Sequence, residues 1–222
     1  MQKRSVEFGS YNTADYGWTL NQCTLSGPEQ KTSYVEKSGG DGSWDLSTAL
    51  TDGVPRYKNR ELTVVLECSQ GDRDHREQLI SEMVNTLDGY EWPIVLPDHP
   101  GRYLTGRIHV AVNYSDLAHA AVTVTGTVGP WFESEQEKLY VRAATTTAQT
   151  INITNDGRRI MVPQIIVAGD AASIRLEYGL SNIQLGPGTY TWPVLVLTPG
   201  LHRLTFSGTG TLTVKFREAV LR

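Results

Sequence analysis

The sequence predicts a mainly β protein in two parts. The first is a β-sandwich carrying one α-helix and a long hairpin; the second is a jelly-roll-like β-sandwich. Three observations lead there. Residues 61–68 alternate Leu62, Val64, Leu66 and Cys68 against Glu61, Thr63, Val65 and Glu67, the period-2 pattern of a strand with one buried face. An apolar stripe at spacings of three and four occurs once, at Leu79, Ile80, Met83, Val84 and Leu87. Beyond residue 139, turn residues return about every ten positions, the rhythm of a sandwich of short strands.

In chain order, residues 5–8 read as a short strand, followed by a turn at Gly9-Ser10-Tyr11-Asn12 and a strand over 18–25, with Trp18, Leu20 and Cys23 facing inward. After the strand at 61–68, Asp72 or Asp74 caps the helix, with Glu77 at capping-box distance from Asp74, and Asp88-Gly89 ends it. A helix this short needs a sheet to bury its stripe. Residues 92–96 form the next strand, stopped by Pro97, Pro100 and Gly101. Residues 102–114 and 118–129 are the arms of a hairpin around Ser115-Asp116-Leu117. The second arm is apolar or small on both faces, which suits a central strand.

The first domain is placed at 1–133. The charged stretch 134–138, which has no hydrophobic anchor, is read as a linker, and the second domain as 139–222. Strands are expected at 139–144, 147–154, 162–168, 173–178, 189–192, 201–206 and 212–216. Turns are expected at Asn155-Asp156-Gly157, Gly169-Asp170, Gly186-Pro187-Gly188, Pro199-Gly200 and Gly208-Thr209-Gly210.

Composition excludes several classes. No run approaches the roughly 18 apolar residues of a membrane span, and the first ten residues lack the apolar core of a secretion signal. Residues 1–133 hold 11 Lys+Arg against 18 Asp+Glu and the remainder 9 against 6, with no basic stripe for nucleic acid. Cys23 and Cys68, without a CxxC pattern, read as two reduced thiols. His75, His99, His109, His119 and His202 show no HxH or HExxH spacing, although His109 and His119 could approach across the hairpin. Asp98-His99 sits on a proline-rich loop, where adjacent residues rarely aim at one target. No GxSxG elbow, calcium loop or phosphate loop is present; the GGDG stretch lacks the GK[ST] ending. Neither an enzyme nor a cofactor is expected.

One stretch remains unabsorbed. Between the strands at 18–25 and 61–68 the chain makes a long polar excursion. Gly39, Gly40 and Gly42 surround Asp41, a cluster suited to positive φ. Val54-Pro55 fixes an extended exit before Arg56 and Tyr57. Excursions of this kind carry contacts to neighbours more often than a core. Trp44 within it reads as an interface anchor, or else as a ring packed back onto its own domain.

This excursion resembles the signature of phage distal tail proteins, the ring-forming baseplate hub subunits of siphophages. Pro28, Lys31, Thr32, Tyr34, Val35, Gly39, Asp41, Gly42, Asp45, Leu46, Ala49, Leu50 and Thr51, then Tyr57, Arg60, Glu67 and Cys68, stand in the family's spacing. The chain departs at Ser38, where proline is expected, and by an extra Gly40; both changes keep turn-forming residues. GTVGPWF at 126–132 resembles the end of the family's first domain, and 197–221 resembles the last strands of its galectin-like or carbohydrate-module-like second domain.

The resemblance implies a structural virion protein, made in the bacterial host cytoplasm and located at the tail tip. It implies a hexameric ring linking the tail tube and tape measure side to a tail-associated hub or fibre protein. Lys31, Tyr34, Gly39, Asp41, Gly42, Trp44, Asp45, Arg56 and Arg60 are the expected subunit interface. The alternative is a carbohydrate-binding module for host attachment, with Tyr178, Tyr190 and Trp192 as the rings that would stack on sugar; filling the sandwich core is the other role open to them.

Overall fold

Leu62, Val64, Leu66 and Cys68 are all buried, as the alternation requires, in the computed structural model, which describes residues 4–51, 53–113 and 120–222. The chain divides into two units, Met1–Pro130 and Trp131–Arg222.

In the first unit the elements are β1 (Glu7–Phe8), β2 (Tyr11–Asn12), β3 (Thr19–Leu25), β4 (Tyr34–Glu36), β5 (Ser43–Asp45), β6 (Arg60–Cys68), α1 (Arg73–Leu87), β7 (Glu91–Val95), β8 (Arg102–Asn113) and β9 (Ala120–Val128). Hydrogen-bonded neighbours run β2-β1-β7-β8-β9-β6-β3, antiparallel throughout, while among the described residues β4 and β5 pair only with each other. β9 lies between β6 and β8, in keeping with its two small-residue faces. Asp72 caps α1: its carboxylate accepts from the His75 amide at 2.9 Å, satisfying a first-turn donor that the helix leaves open. Leu79, Ile80, Met83 and Leu87 are buried, and α1 packs on β8 and β9. At the other end Asp88 accepts from the Val110 amide at 2.8 Å, which pins the helix terminus to β8. The expected reversal at 115–117 and His119 lie outside the described residues.

In the second unit the elements are β10 (Phe132–Ser134), β11 (Lys138–Ala143), β12 (Gln149–Asn155), β13 (Gln164–Tyr178), β14 (Ser181–Leu185), β15 (Gly188–Thr191), β16 (Gly200–Phe216) and β17 (Ala219–Val220). Two long strands organise it. The 211–216 half of β16 pairs with β11, and its 200–206 half pairs with β12. Likewise β13 pairs with β15 through residues 164–167 and with β14 through residues 174–178. The result is two four-stranded layers, β11-β16-β13-β15 and β12-β16-β13-β14, that share bent central strands. One apolar cluster draws on both: Ile165, Val167, Leu212 and Val214 from the first, Ile151, Ile153, Ile174, Leu176, Leu204 and Phe206 from the second.

This corrects the sequence reading in three places. Gly169-Asp170 and Gly208-Thr209-Gly210 are not chain reversals. They form the corner of the β13–β16 pair, where the register shifts between Ala168 and Ser173 and glycines 169, 208 and 210 take φ of 126°, 136° and 103°. A strand not anticipated, β14, occupies 181–185. The stretch 134–138 stands inside the second unit, whose boundary falls after Pro130. β10 pairs with β17, the Glu137 carboxylate lies 3.8 Å from Lys215 and 3.4 Å from Arg217, and Lys138 begins β11. The charges that looked like a solvated linker are partners for the basic end of β16 and the residue just beyond it.

Asn155 closes the end of this unit. It is buried; its Nδ2 donates to the carbonyls of Arg159 at 3.0 Å and Leu197 at 2.9 Å, and its Oδ1 accepts from the Gly157 amide at 3.0 Å. Asn155→Leu would strip partners from two carbonyls and one amide, so we expect a loss of about 3 kcal/mol, read by urea unfolding. An unchanged midpoint would show that water takes over these bonds.

Candidate assembly interface

The excursion is an arm. Ser26 is tied to the body three times: its amide donates to the Glu61 carbonyl at 2.9 Å, its Oγ accepts from the Glu61 amide at 2.9 Å, and its carbonyl accepts from Arg60 Nε at 2.6 Å. Beyond it a short neck forms. Lys58 N donates to Glu29 O at 2.8 Å, Lys31 N donates to Arg56 O at 2.7 Å, Gln30 bridges Tyr57, and the Lys58 and Glu29 side chains form an ion pair.

At the far end β4 and β5 make a two-stranded hairpin in the register Tyr34↔Asp45, Val35↔Trp44 and Glu36↔Ser43. Its turn needs glycine twice, at Gly39 (φ 72°) and Gly42 (φ 77°). Asp45 accepts from the Ser47 amide at 2.9 Å, and Ser47 Oγ accepts from the Ser33 amide at 2.9 Å, so the hairpin's open end is fastened by side chains. Hydrogen bonds from Ser47 hold the Asp45 carboxyl below the usual carboxylate range.

The two faces of this hairpin differ. Because side chains alternate, Val35 and Trp44 share a face, and Leu46, whose amide donates to the Ser33 carbonyl at 2.8 Å, continues it. Tyr34, Glu36, Ser43 and Asp45 point the other way. The first face is apolar and uncovered: Val35 is 49% exposed, Trp44 61% and Leu46 45%. Lys37 Nζ sits 4.9 Å from the Trp44 ring centroid, a cation–π contact on an otherwise open ring. Leu50, in the turn that follows, is fully exposed.

The residues expected at an interface therefore separate into groups. Tyr34, Gly39, Asp41, Gly42, Trp44 and Asp45 lie on the exposed hairpin or its turn, and Lys31 and Arg56 lie in the neck. Arg60 stands apart. It is 6% exposed, faces inward in phase with Leu62 and Leu66, and burial lowers its pKa. Reading the alternation at 61–68 two residues further back would have placed it there. Val35 and Leu46 were absent from the expected set; their cross-strand register with Trp44 brings them in, and that register was not legible before the turn was known.

The sugar-stacking candidates fare differently. Trp192 is only 7% exposed and belongs to the apolar cluster of the second unit. Tyr178 packs against that cluster, with its hydroxyl 3.1 Å from the Val196 carbonyl and 2.8 Å from His202 Nδ1. Tyr190 also packs there, and its hydroxyl donates to the carbonyls of Gly186 and Pro187. Trp192 therefore fills the sandwich core, while Tyr178 and Tyr190 pack against it and stay partly exposed. Among the described residues no group of three or more His, Cys, Asp or Glu side chains is placed to hold a metal ion. His109 Nδ1 lies 3.5 Å from the carboxylate of Asp88, the residue that ends α1.

No known family profile matches the sequence, and no curated protein matches it. Among solved structures the chain is similar to the SPP1 Dit (gp 19.1) protein, described as a paradigm of the hub adsorption apparatus in phages infecting Gram-positive hosts. Identity is 15%, the TM-score is 0.71, and the match covers 97% of this chain and 99% of that one. Chains from the phage p2 baseplate in its activated conformation, with Sr and with Ca, align at 9% identity over 96% of this chain and 98% of theirs, with TM-scores of 0.46 and 0.44. The first of these likenesses shows that the chain has the fold of that hub protein across both units.

Proposed function

We propose that this chain is a distal tail protein, a structural subunit of a phage tail tip that assembles through its arm into a hub ring. The observation that carries the reading is the uncovered apolar face of Val35, Trp44 and Leu46 on a hairpin that, among the described residues, no other strand pairs with. A lone two-stranded hairpin is marginal in water, and one that exposes three large apolar side chains is built to be covered. The shared fold with a hub protein and the signature residues along the arm supply the setting.

The arm and the surface that receives it are different patches of the same chain. Such a contact is heterologous, and copies related by a constant rotation close into a ring. Six copies, a tail tube on one side and a hub or fibre protein on the other are what the family resemblance adds. The work is assembly; no step in it requires bond chemistry.

Light scattering across a range of concentrations tests the reading. The chain mass is 24.6 kDa. We expect a concentration-dependent species of roughly six chain masses, or a stacked pair of such rings. A mass of one chain at every concentration, with no higher species on chemical cross-linking, would overturn self-assembly through the arm.

A further inference from the structure

We propose that the surface receiving the arm is the β3 edge of the next copy, where the neighbour's apolar hairpin face covers the row Leu20, Cys23 and Leu25. The inference deepens the assembly reading and rests on it.

β3 is where the core of the first unit runs out. Among the described residues it pairs with β6 alone and ends the strand path β2-β1-β7-β8-β9-β6-β3. Its register sets Leu20 opposite Leu66, Cys23 opposite Val64 and Leu25 opposite Leu62. Residues opposite each other on paired strands share a face, so these three belong to the core row. The β6 members are fully buried, whereas Leu20, Cys23 and Leu25 all stay partly exposed. Burial, with a smaller push from the Asp98 carboxylate, still raises the Cys23 thiol to about 11. A strip of core face is left open to water along this edge.

The edge is also unguarded by charge. Edge strands that stay in water carry charged residues, lysine above all, that deter pairing. β3, with the sequence TLNQCTL, has none. It does have a slip in register between Leu20 and Gln22, a bulge that spoils the edge for a further strand. β3 therefore offers a partner side chains more than backbone, and an apolar face can settle on it without desolvating a charge on the strand.

The arm is the occupant these features select. Val35, Trp44 and Leu46 form an uncovered apolar face with no carboxylate on it. Within one chain the two surfaces do not meet, since both remain exposed. At the root of the arm the Ser26 amide donates to the Glu61 carbonyl and Ser26 Oγ accepts from the Glu61 amide, each at 2.9 Å. These bonds carry the exit on along the β3–β6 ladder instead of folding it back over β3. The two open surfaces meet only between copies, each giving its arm and taking one, which is the heterologous contact a ring repeats.

Cross-linking of the full chain tests this. Cys23 supplies one thiol, and Cys68 is buried. Leu46→Cys and, separately, Val35→Cys supply the other from exposed positions of the arm. Each variant is oxidised with copper–phenanthroline and run on a non-reducing gel. Beside it run the same variant carrying Cys23→Ser, and Leu180→Cys, a fully exposed position in the second unit. Two different cysteines joined head to tail give a ladder of dimers, trimers and larger species, whereas an arm-to-arm link stops at dimers.

We expect a ladder in at least one arm variant, formed about tenfold faster than any linkage in Leu180→Cys, because a held contact raises the effective thiol concentration to about the mM range. Cys23→Ser should abolish it. Oligomers detected by light scattering without a Cys23-dependent ladder in either variant would overturn the proposal and leave the ring reading standing. A chain that stays single at every concentration overturns both.

Discussion

Val35→Asp combined with Trp44→Asp is expected to abolish self-association while leaving the thermal unfolding of the chain where it is. The two side chains stand opposite each other on one face of the hairpin, 49% and 61% exposed. Neither belongs to the buried core of either unit, so their loss costs the isolated fold little. Covered by a neighbour, Trp and Val together would remove on the order of 200 Å² of apolar surface from water, or about 5 kcal/mol per contact. Aspartates there would also bury two unpaired charges, which adds to the loss. Each subunit of a ring makes the contact twice, once with its arm and once with the surface that receives one. Weakening every contact by even about 3 kcal/mol therefore prevents closure rather than thinning the population of rings. Sedimentation velocity beside scanning calorimetry checks both halves. An intact oligomer from the doubly substituted chain would sink the arm as the contact. Deleting 39–42 is the companion variant: it removes the turn that brings Val35 and Trp44 together and should give the same folded, unassembled chain.

What the sequence allowed, and where it misled, follows from which signals are local. The strand at 61–68 and the stripe from Leu79 to Leu87 could be read because burial repeats at the period of the backbone itself. The arm could be located because its glycines and signature residues are consecutive. The fate of Arg60 was also available, since it stands two residues before Leu62 on the same alternating face. The family resemblance assigned it to the subunit interface in the sequence reading, whereas its phase put it inside. The apolar face of the arm was harder. Val35 and Leu46 join Trp44 only once the turn fixes the register, and a shift of one residue would have sent them to opposite faces. The aromatics of the second unit could not be decided at all from spacing, because a ring that fills a sandwich and a ring that faces a sugar occupy the same alternating positions; packing put Trp192 inside. Residues 134–138 misled for a related reason. Their basic partners in space, Lys215 and Arg217, lie some eighty positions away in the chain, and no local pattern announces such a pairing.

Gly208→Ala is expected to be the most damaging single substitution in the second unit. Glycine in a strand usually signals a turn or a weak spot, and the run Gly208-Thr209-Gly210 looked like a turn. Here the chain does not reverse. β16 continues through it while bending with β13, and at Gly208 the backbone holds φ of 136°, outside what L side chains ordinarily adopt. A Cβ at that position would fall 1.9 Å from the Ser173 carbonyl oxygen and 2.9 Å from its carbon, both backbone atoms in the paired strand. No rotamer change relieves a clash with backbone. Either the corner opens, separating the two layers that share β13 and β16, or the strained residue is retained at about 4 kcal/mol. Gly186→Ala is the matched control, since a Cβ there meets nothing within 4 Å. Hydrogen exchange followed on 164–178 and 200–216 should show protection falling by about two to three orders of magnitude in Gly208→Ala and unchanged in Gly186→Ala. Native protection in Gly208→Ala would mean that the corner relaxes without parting the layers. The same variant separates the roles of the two units. The arm lies wholly in the first, so a chain with its second sandwich loosened should still oligomerise. Failure of both together would place part of the assembly surface on the second sandwich, which the exposed face of Val35 and Trp44 does not require.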